Sequence, residues 1–293
     1  MTKCALWKEL ESGESWRDRI ESSLRNLRRG YMDIYLAHAL TWEVYEKRGR
    51  EFLKEAMAAR DEGVIGHIGF SSHDKPENVM KLLDVDEFEC MLIQYSLIDR
   101  SYESCIERAA ERGRDVFVMG PLNGGLFRQF PTGLKEATPD RLASAAALAL
   151  AFVLGNPAVD VALSGMNRKE QVDENLRTLE SLPRLSPEEW RLVNEQIAAL
   201  KERANVLCTR CRYCMPCPQG VWIPLIFGAL AIKTVYGNTS QALHIYNFAR
   251  QPGPDGRSRG PESCIECGQC EPKCPQKIPI MEQLKEARRV FEG

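Results

Sequence analysis

Short apolar runs and amphipathic stretches alternate along the first two hundred residues. The runs at 31–38 (YMDIYLAH), 64–70 (VIGHIGF), 90–95 (CMLIQY), 115–119 (DVFVM) and 158–163 (AVDVAL) are five to eight residues long and mostly apolar. Runs of that length and content predict buried strands. Helical spacing of apolar residues marks the segments between them: 15–29, 42–62, 75–83, 102–112, 139–154 and 168–179. Thr138-Pro139 and Ser186-Pro187 each set a capping residue before a proline, so helices are predicted to begin there. In the second of these, Trp190, Val193, Ile197 and Leu200 form one apolar stripe. Strand-then-helix alternation predicts parallel strands joined by crossover helices, and continuously apolar strands are those covered on both faces. An open doubly wound sheet and a (β/α)8 barrel both satisfy this pattern. No G-x-G-x-x-G follows a strand, which speaks against the dinucleotide form of the doubly wound sheet. Polar residues gather instead where strands end: His38, Ser71, Ser72, Gln94 and Ser164. In a barrel that end carries the active site.

Near residue 205 the pattern changes. Four cysteines, Cys208, Cys211, Cys214 and Cys217, are followed by two helical stretches, 223–236 and 240–250. A Gly- and Pro-rich loop (251–263, QPGPDGRSRGPES) leads to four more: Cys264, Cys267, Cys270 and Cys274. Each run ends in Cys-Pro, and the second reads C-x2-C-x2-C-x3-C-P, the ligand run of bacterial ferredoxins. Two residues between cysteines let a short loop offer three thiolates to one cubane. In two-cluster ferredoxins the fourth cysteine of each run serves the other cluster. Cys208, Cys211, Cys214 and Cys274 are therefore expected around one [4Fe–4S] cluster, and Cys217, Cys264, Cys267 and Cys270 around a second. The first run departs from the pattern, with two residues rather than three before Cys217. Cys4 zinc sites are the competing use of C-x2-C pairs; two runs of four closed by Cys-Pro favour iron–sulfur. Tyr236, Tyr246 and Phe248 are expected to shield the clusters or to serve as ordinary core. Cys4, Cys90 and Cys105 are scattered and are expected to be small buried hydrophobes.

Composition narrows the picture further. A chain of 293 residues allows about two domains, and a net charge of −2 gives no footprint for nucleic acid or an anionic membrane. The longest apolar stretches, 145–154 and 222–232, fall short of a membrane span. With no signal peptide and unpaired scattered thiols, a reducing cytoplasm is expected.

Several segments resemble the aldo-keto reductase family, in order and at matching intervals. They are Thr2-Lys3, WRDRIESSLRNL (16–27), DIYLAH (33–38), GHIGFSSH (66–73), IQYSLIDR (93–100), MGPLNGGLF (119–127) and SGMNRKEQVDENL (164–176). The tail, with CRYCMPCPQGVWIP and CIECGQCEPKCPQKIPI, is similar to the subgroup carrying a C-terminal ferredoxin-like domain. The resemblance implies an α/β fold of the (β/α)8 TIM-barrel type lacking its first strands, followed by a small, mainly helical ferredoxin-like domain. The expected segments are a barrel of about six βα units (1–185), a connecting helix (186–205) and the two-cluster domain (206–293).

By the same resemblance, NAD(P)H lies extended at the barrel's C-terminal mouth. Ser71, Ser72 and Gln94 would hold the nicotinamide amide, with Leu122, Gly124 and Gly125 near the pyrophosphate. Ser164, Gly165, Met166, Asn167, Gln171, Glu174 and Asn175 would meet the adenosine end. Gln171 stands where many members carry an arginine for the 2′-phosphate, and Arg168 or Lys169 offers a substitute, so NAD and NADP both remain open. Lys3 and His38 match two members of the family's Asp-Tyr-Lys-His tetrad. The tyrosine, which protonates the carbonyl oxygen, and the aspartate belong to the first two βα units. This chain starts at the third strand, so both are absent from it: a fragment, a misassigned start and a degenerate paralogue all fit. His67 and His73 are expected to be plain loop or strand residues. The implied function is an oxidoreductase that joins a nicotinamide-binding barrel to electron transfer through two clusters. Its substrate would be a small carbonyl or other redox compound. Hydride carries two electrons and a cubane takes one, so a flavin or a partner protein would mediate. An electron carrier or interaction protein with a catalytically incomplete barrel is the alternative.

Overall fold

The structure, a computed structural model, describes residues 1–6, 8, 10–11, 13–203, 208–253, 256 and 258–293. The boundary expected between the connecting helix and the two-cluster domain, at 205/206, lies outside the described residues. Two compact units form: Met1–Pro121 with Phe152–Gly165, and Leu122–Ala151 with Met166–Gly293. These packing units cut across the sequence segments, because 122–151 packs with the cysteine-bearing part of the chain.

The first unit is built on six strands: β1 (Thr2–Cys4), β2 (Met32–Ala37), β3 (Ile65–Ser71), β4 (Cys90–Gln94), β5 (Asp115–Met119) and β6 (Val161–Leu163). All neighbours are parallel, and the order is β1-β2-β3-β4-β5-β6. A doubly wound sheet reverses its strand order at a switch point. This one never does, so the winding is that of a barrel, and the barrel-type α/β expectation holds with six strands present. Both faces are apolar. Tyr35, Ile68, Phe70, Met91, Ile93, Val116 and Val118 join the helix-covered core, while Leu36, Cys90 and Leu92 form a separate cluster with Ile34, Phe117 and Met119. Gly69 belongs to the crowded side: a Cβ there would overlap Cys90 and approach Leu36 Cδ2 to 2.8 Å. Cys4, Cys90 and Cys105 are buried, as small hydrophobes are.

Helix α1 (Trp16–Leu27) opens with a capping box, Ser15 and Asp18 each satisfying the other's backbone N–H, and ends at Arg28 in the left-handed conformation. The predicted 42–62 helix is interrupted: α2 (Trp42–Val44) passes through a π-helical turn (Tyr45–Gly49) into α3 (Arg50–Asp61). Helices α4 (Pro76–Leu83) and α5 (Glu103–Glu111) complete the covering layer on their predicted segments.

The helix expected from Pro139 begins six residues later, as α6 (Ala145–Leu154). The cap is Ser144, whose hydroxyl accepts from Ala147 N–H, whereas Thr138 spends its hydroxyl on the Leu134 carbonyl. Helix α7 (Lys169–Ser181) follows β6, and α8 (Pro187–Arg203) starts where Ser186-Pro187 predicted, with Ser186 accepting from Glu189 N–H. In the second unit α9 (Ile223–Tyr236) and α10 (Thr239–Ala249) form an antiparallel pair, closed by α11 (Ile280–Glu292), a helix outside the sequence expectations. Its stripe of Ile280, Leu284 and Ala287 packs with Ile223, Ile226, Phe227, Leu230 and Tyr246. No helix among the described residues is long and apolar enough to cross a membrane.

Candidate active site and cysteine-lined cavities

In the first unit three nitrogen bases collect where strands end. Lys3 lies on β1, paired in register with Leu36 of β2. His38 is the residue after β2, and its turn is pinned from two sides. His38 N–H donates to the Cys4 carbonyl (2.7 Å), Ala39 N–H to Ser71 Oγ (2.9 Å) and Leu40 N–H to the Ser71 carbonyl (2.6 Å). Ala39 takes a positive φ of 45° to make this turn, a conformation that costs a residue with a Cβ. Burial drives the His38 pKa down to about 4, helped by the charges of Lys3, His73 and Lys8. His73 is lowered for the same first reason and by Lys3, while Asp99 opposes the shift. Desolvation lowers Lys3 as well. His73 lies in a loop, as expected, and that loop brings it within electrostatic reach of Lys3 and His38. Its position two residues after β3, at a strand's active end, was the available signal. His67, by contrast, points to Glu89 at 2.6 Å on the exposed side.

Ser71, Ser72 and Gln94 are all buried at the ends of β3 and β4. Ser71 accepts from Ala39 N–H, and Ser72 donates to the Leu40 carbonyl (2.7 Å) while accepting from Asp74 N–H (3.1 Å). The two serines therefore tie down the His38 turn. Ser164 and Gly165 close this unit, half-buried and exposed respectively.

The remaining residues expected at the dinucleotide lie in the second unit. Leu122 precedes a 3-10 turn (Asn123–Arg128) in which Asn123, Gly124 and Gly125 all have positive φ, 45°, 64° and 84°. Gly124 is required sterically: a Cβ would sit 2.7 Å from Thr209 Cα. Met166 and Asn167 are exposed. Asn167 N–H donates to Gln171 Oε1 (2.9 Å), and the Glu174 carboxylate accepts the Ser144 hydroxyl, with Asn175 one residue further along α7. Asn123, which sequence reasoning passed over, is 2% exposed, and its Nδ2 has no partner among the described residues.

The eight cysteines line two cavities of the second unit. Cys208, Cys211, Cys214 and Cys274 face one, walled by Ile223, Phe227, Ile278 and Ile280. Cys217, Cys264, Cys267 and Cys270, with Cys214 reaching in, face the other, walled by Ile223, Ile265, Met281 and Leu284. Tyr236, Tyr246 and Phe248 line neither cavity. Tyr246 stacks on Phe291 at 4.4 Å in the core, Tyr236 donates to the Leu126 carbonyl, and Phe248 is exposed beside Trp222. Phe227 and aliphatic side chains wall the cavities in place of these three aromatics.

The two loops share one backbone turn. Arg210 and Arg212 have φ of 56° and 66°, and Glu266 and Gly268 have 55° and 71°. Both pairs fall at the same places: two residues after the first cysteine and one after the second. Turns of this kind direct successive N–H groups into a concavity that suits anionic sulfur clusters, and Arg210 N–H donates to Cys208 Sγ at 3.3 Å. Burial pushes the Cys208 thiol up to about 11, with neighbouring Cys211 and Cys274 adding to it. Cys214 rises to about 12 through burial and then Cys208, Cys211 and Cys274. Clustered thiols of this kind become thiolates when a polycation neutralises them. Among the described residues no group of three or more His, Cys, Asp or Glu side chains is arranged to hold a single metal ion. Each cavity is lined by its four expected cysteines, Cys214 reaching both, and such a set fits a cubane.

Comparison with known proteins adds to this geometry. The model of the aldo/keto reductase family matches residues 1–198, and that of a 4Fe-4S dicluster domain matches residues 207–279. The uncharacterized oxidoreductase YqkF of Bacillus subtilis is 24% identical over 231 residues, covering 68% of this chain and 71% of its own length. The NADH-specific methylglyoxal reductase of Escherichia coli is 27% identical over 225 residues, 67% and 68% of the two chains. Among solved structures, the holo form of aldo-keto reductase AKR11C1 from Bacillus halodurans superposes with a TM-score of 0.55 at 27% identity, covering 66% of this chain and 69% of that one. An aldo-keto reductase from Klebsiella pneumoniae in complex with NADPH shares the fold, with a TM-score of 0.55, 24% identity, and 67% and 68% coverage.

Proposed function

This chain belongs to the aldo/keto reductase family, with a 4Fe-4S dicluster domain following, and on that premise we propose an NAD(P)-linked oxidoreductase whose electrons pass through two [4Fe–4S] clusters. The observation that carries it is the sorting of eight cysteines into two four-thiol cavities, in one chain with a family-type sheet bearing Lys3 and His38 at its strand ends. Cys208, Cys211, Cys214 and Cys274 hold one cluster, and Cys217, Cys264, Cys267 and Cys270 the other. Bound nicotinamide supplies hydride, two electrons together, and bound clusters take electrons singly.

The chain's own side chains set the rest. Ser71, Ser72 and Gln94 orient the carboxamide, and Leu122, Gly124 and Gly125 lie along the pyrophosphate. Ser164, Gly165, Met166, Asn167, Gln171, Glu174 and Asn175 take the adenosine end. His38, neutral at pH 7 because burial disfavours its cation, can donate a ring N–H to a substrate carbonyl oxygen. Lys3 supplies the nearby positive charge. A flavin or a partner protein would be needed to bridge the two-electron and one-electron steps, in a soluble cytoplasmic setting.

The test is anaerobic. The full chain is reconstituted with iron and sulfide, and its visible charge-transfer absorbance is followed as NADH and then NADPH are added, with and without added flavin. Bleaching by either nucleotide is the expected result. Bleaching by dithionite alone, with no nucleotide bound, would replace this function with that of an electron carrier.

A further inference from the structure

The two cysteine loops of the second unit share a backbone turn and differ in charge. In the first, Arg210 and Arg212 stand on either side of Cys211, and the stretch 208–218 has no carboxylate. Arg212 lines the first cavity. Arg210 donates its N–H to Cys208 Sγ at 3.3 Å, and its guanidinium is held by the Gly124 carbonyl. Neither arginine forms an ion pair among the described residues. In the second loop Glu266 and Gly268 occupy the places of these two arginines.

The charges around the second cavity cancel. Glu266 pairs with Lys285 at 2.7 Å. Lys273 lines that cavity, and Glu271, next to Cys270, accepts the N–H of Met281 (3.0 Å), a residue of the same wall. The first loop therefore brings two positive charges and the second brings none in sum. Solvent does not separate the cavities, since each has one exposed cysteine, Cys211 and Cys267. Reduction adds negative charge to a cluster, so positive charge and hydrogen bonds to sulfur favour the reduced form.

We propose that Arg210 and Arg212 make the site of Cys208, Cys211, Cys214 and Cys274 the more easily reduced of the two, so that a single electron shared between them comes to rest there. One electron leaves the site of Cys217, Cys264, Cys267 and Cys270, which is oxidised, and reduces the other; no bond is made or broken. Cys214 and Ile223 line both cavities, so one wall separates donor from acceptor. This rests on the two-cluster part of the function proposed above and not on its nicotinamide part.

The full chain, reconstituted anaerobically with iron and sulfide, is titrated with dithionite through redox dyes and followed by electron paramagnetic resonance. Two one-electron steps separated by about tenfold are expected, which is about 59 mV for a one-electron couple. Arg212→Gln is expected to make the upper step several-fold harder, and the double variant Arg210→Gln, Arg212→Gln about tenfold harder, with the lower step moving less. Glu271→Gln keeps an acceptor for Met281 N–H and is expected to ease the lower step. Wild-type steps within twofold of each other, or an upper step that Arg212→Gln leaves within twofold, overturn the proposal. Should the double variant lose iron, Arg212→Gln carries the test, with Arg212→Lys as its control. Lysine keeps the charge and should leave the upper step in place; a shift as large as that of glutamine overturns the proposal. A chain that takes up only one cluster's iron overturns the two-cluster function as well. Two steps that respond as expected, in a chain that binds no nucleotide, leave this assignment standing and strike the nicotinamide function alone.

Discussion

His38 gives the sharpest test of the strand-end cluster. Its pKa is lowered from 6.5 to about 4, first by burial and then by Lys3, His73 and Lys8. The sign follows directly. Between these two values the unfolded chain binds a proton that the native chain refuses, so stability is intact above the unfolded pKa and falls as pH drops toward the folded one. At about pH 5 the loss attributable to this one group is at most about 2 kcal/mol, reduced by solvent screening of the half-buried ring. Replacing His38 with Gln keeps hydrogen-bonding capacity and removes the titration, so the variant should lose up to that much less stability on going from neutral pH to about pH 5. The chain has only four histidines, so their ring resonances can be followed individually by NMR, with His38→Gln identifying the signal. Urea unfolding followed by tryptophan fluorescence at the two pH values supplies the energy. A His38 resonance titrating at the ordinary 6.5, or wild type and variant losing stability in parallel, would refute the claim that burial beside Lys3 and His73 keeps this imidazole neutral.

Three further outcomes are expected. Gly124→Ala adds a Cβ against the Thr209 backbone in a left-handed position and should cost about 2 kcal/mol or more, read as a lower thermal midpoint of the reconstituted chain. Arg212→Gly gives the first cysteine loop the residue that Gly268 provides in the second and should stabilise it by up to about 1 kcal/mol, seen as slower iron loss to a chelator. Cys274→Ser removes one thiol from the cavity of Cys208, Cys211 and Cys214. It should leave the cluster of the second cavity in place, with iron content falling toward half by elemental analysis.

Much of the fold was legible because burial on both sheet faces forces continuous apolar runs, and Ile34 to Ala37 or Met91 to Ile93 can hardly be read otherwise. Strand order was not, since a singly wound and a doubly wound sheet share that pattern and differ only in which neighbours pair. Local competition moved the helix starts. Thr138 and Ser144 are both capping residues, and the Leu134 carbonyl claims the first. Cysteine spacing identified the cavity-lining thiols, but it could not separate wall from core among the aromatics, because Tyr246 is held by Phe291 on a helix absent from the expectations. The left-handed turn was half legible: glycine at 268 announces it, while arginine at 210 and 212 carries no such sign. His73 and Asn123 were missed for a related reason. Each is remarkable only through burial and neighbours, which a single sequence does not display.

The unequal spacing of the two cysteine runs follows from how the cavities are shared. Within each triple, 208, 211, 214 and 264, 267, 270, the spacing is constant and the same left-handed pair recurs, because one loop must present three sulfurs to one cavity. The fourth cysteine of each run faces the cavity that the other run's triple lines. The segment between third and fourth therefore spans two cavities, and it has only to reach. Two residues, Met215-Pro216, suffice in one run and three, Glu271-Pro272-Lys273, serve in the other. A departure that looks like a defect in the motif is permitted where it falls and would not be permitted inside a triple. Since each cavity draws thiols from both runs, neither run can complete a four-thiol set alone, and helices α9 and α10, which lie between the runs in sequence, are the scaffold that brings them together.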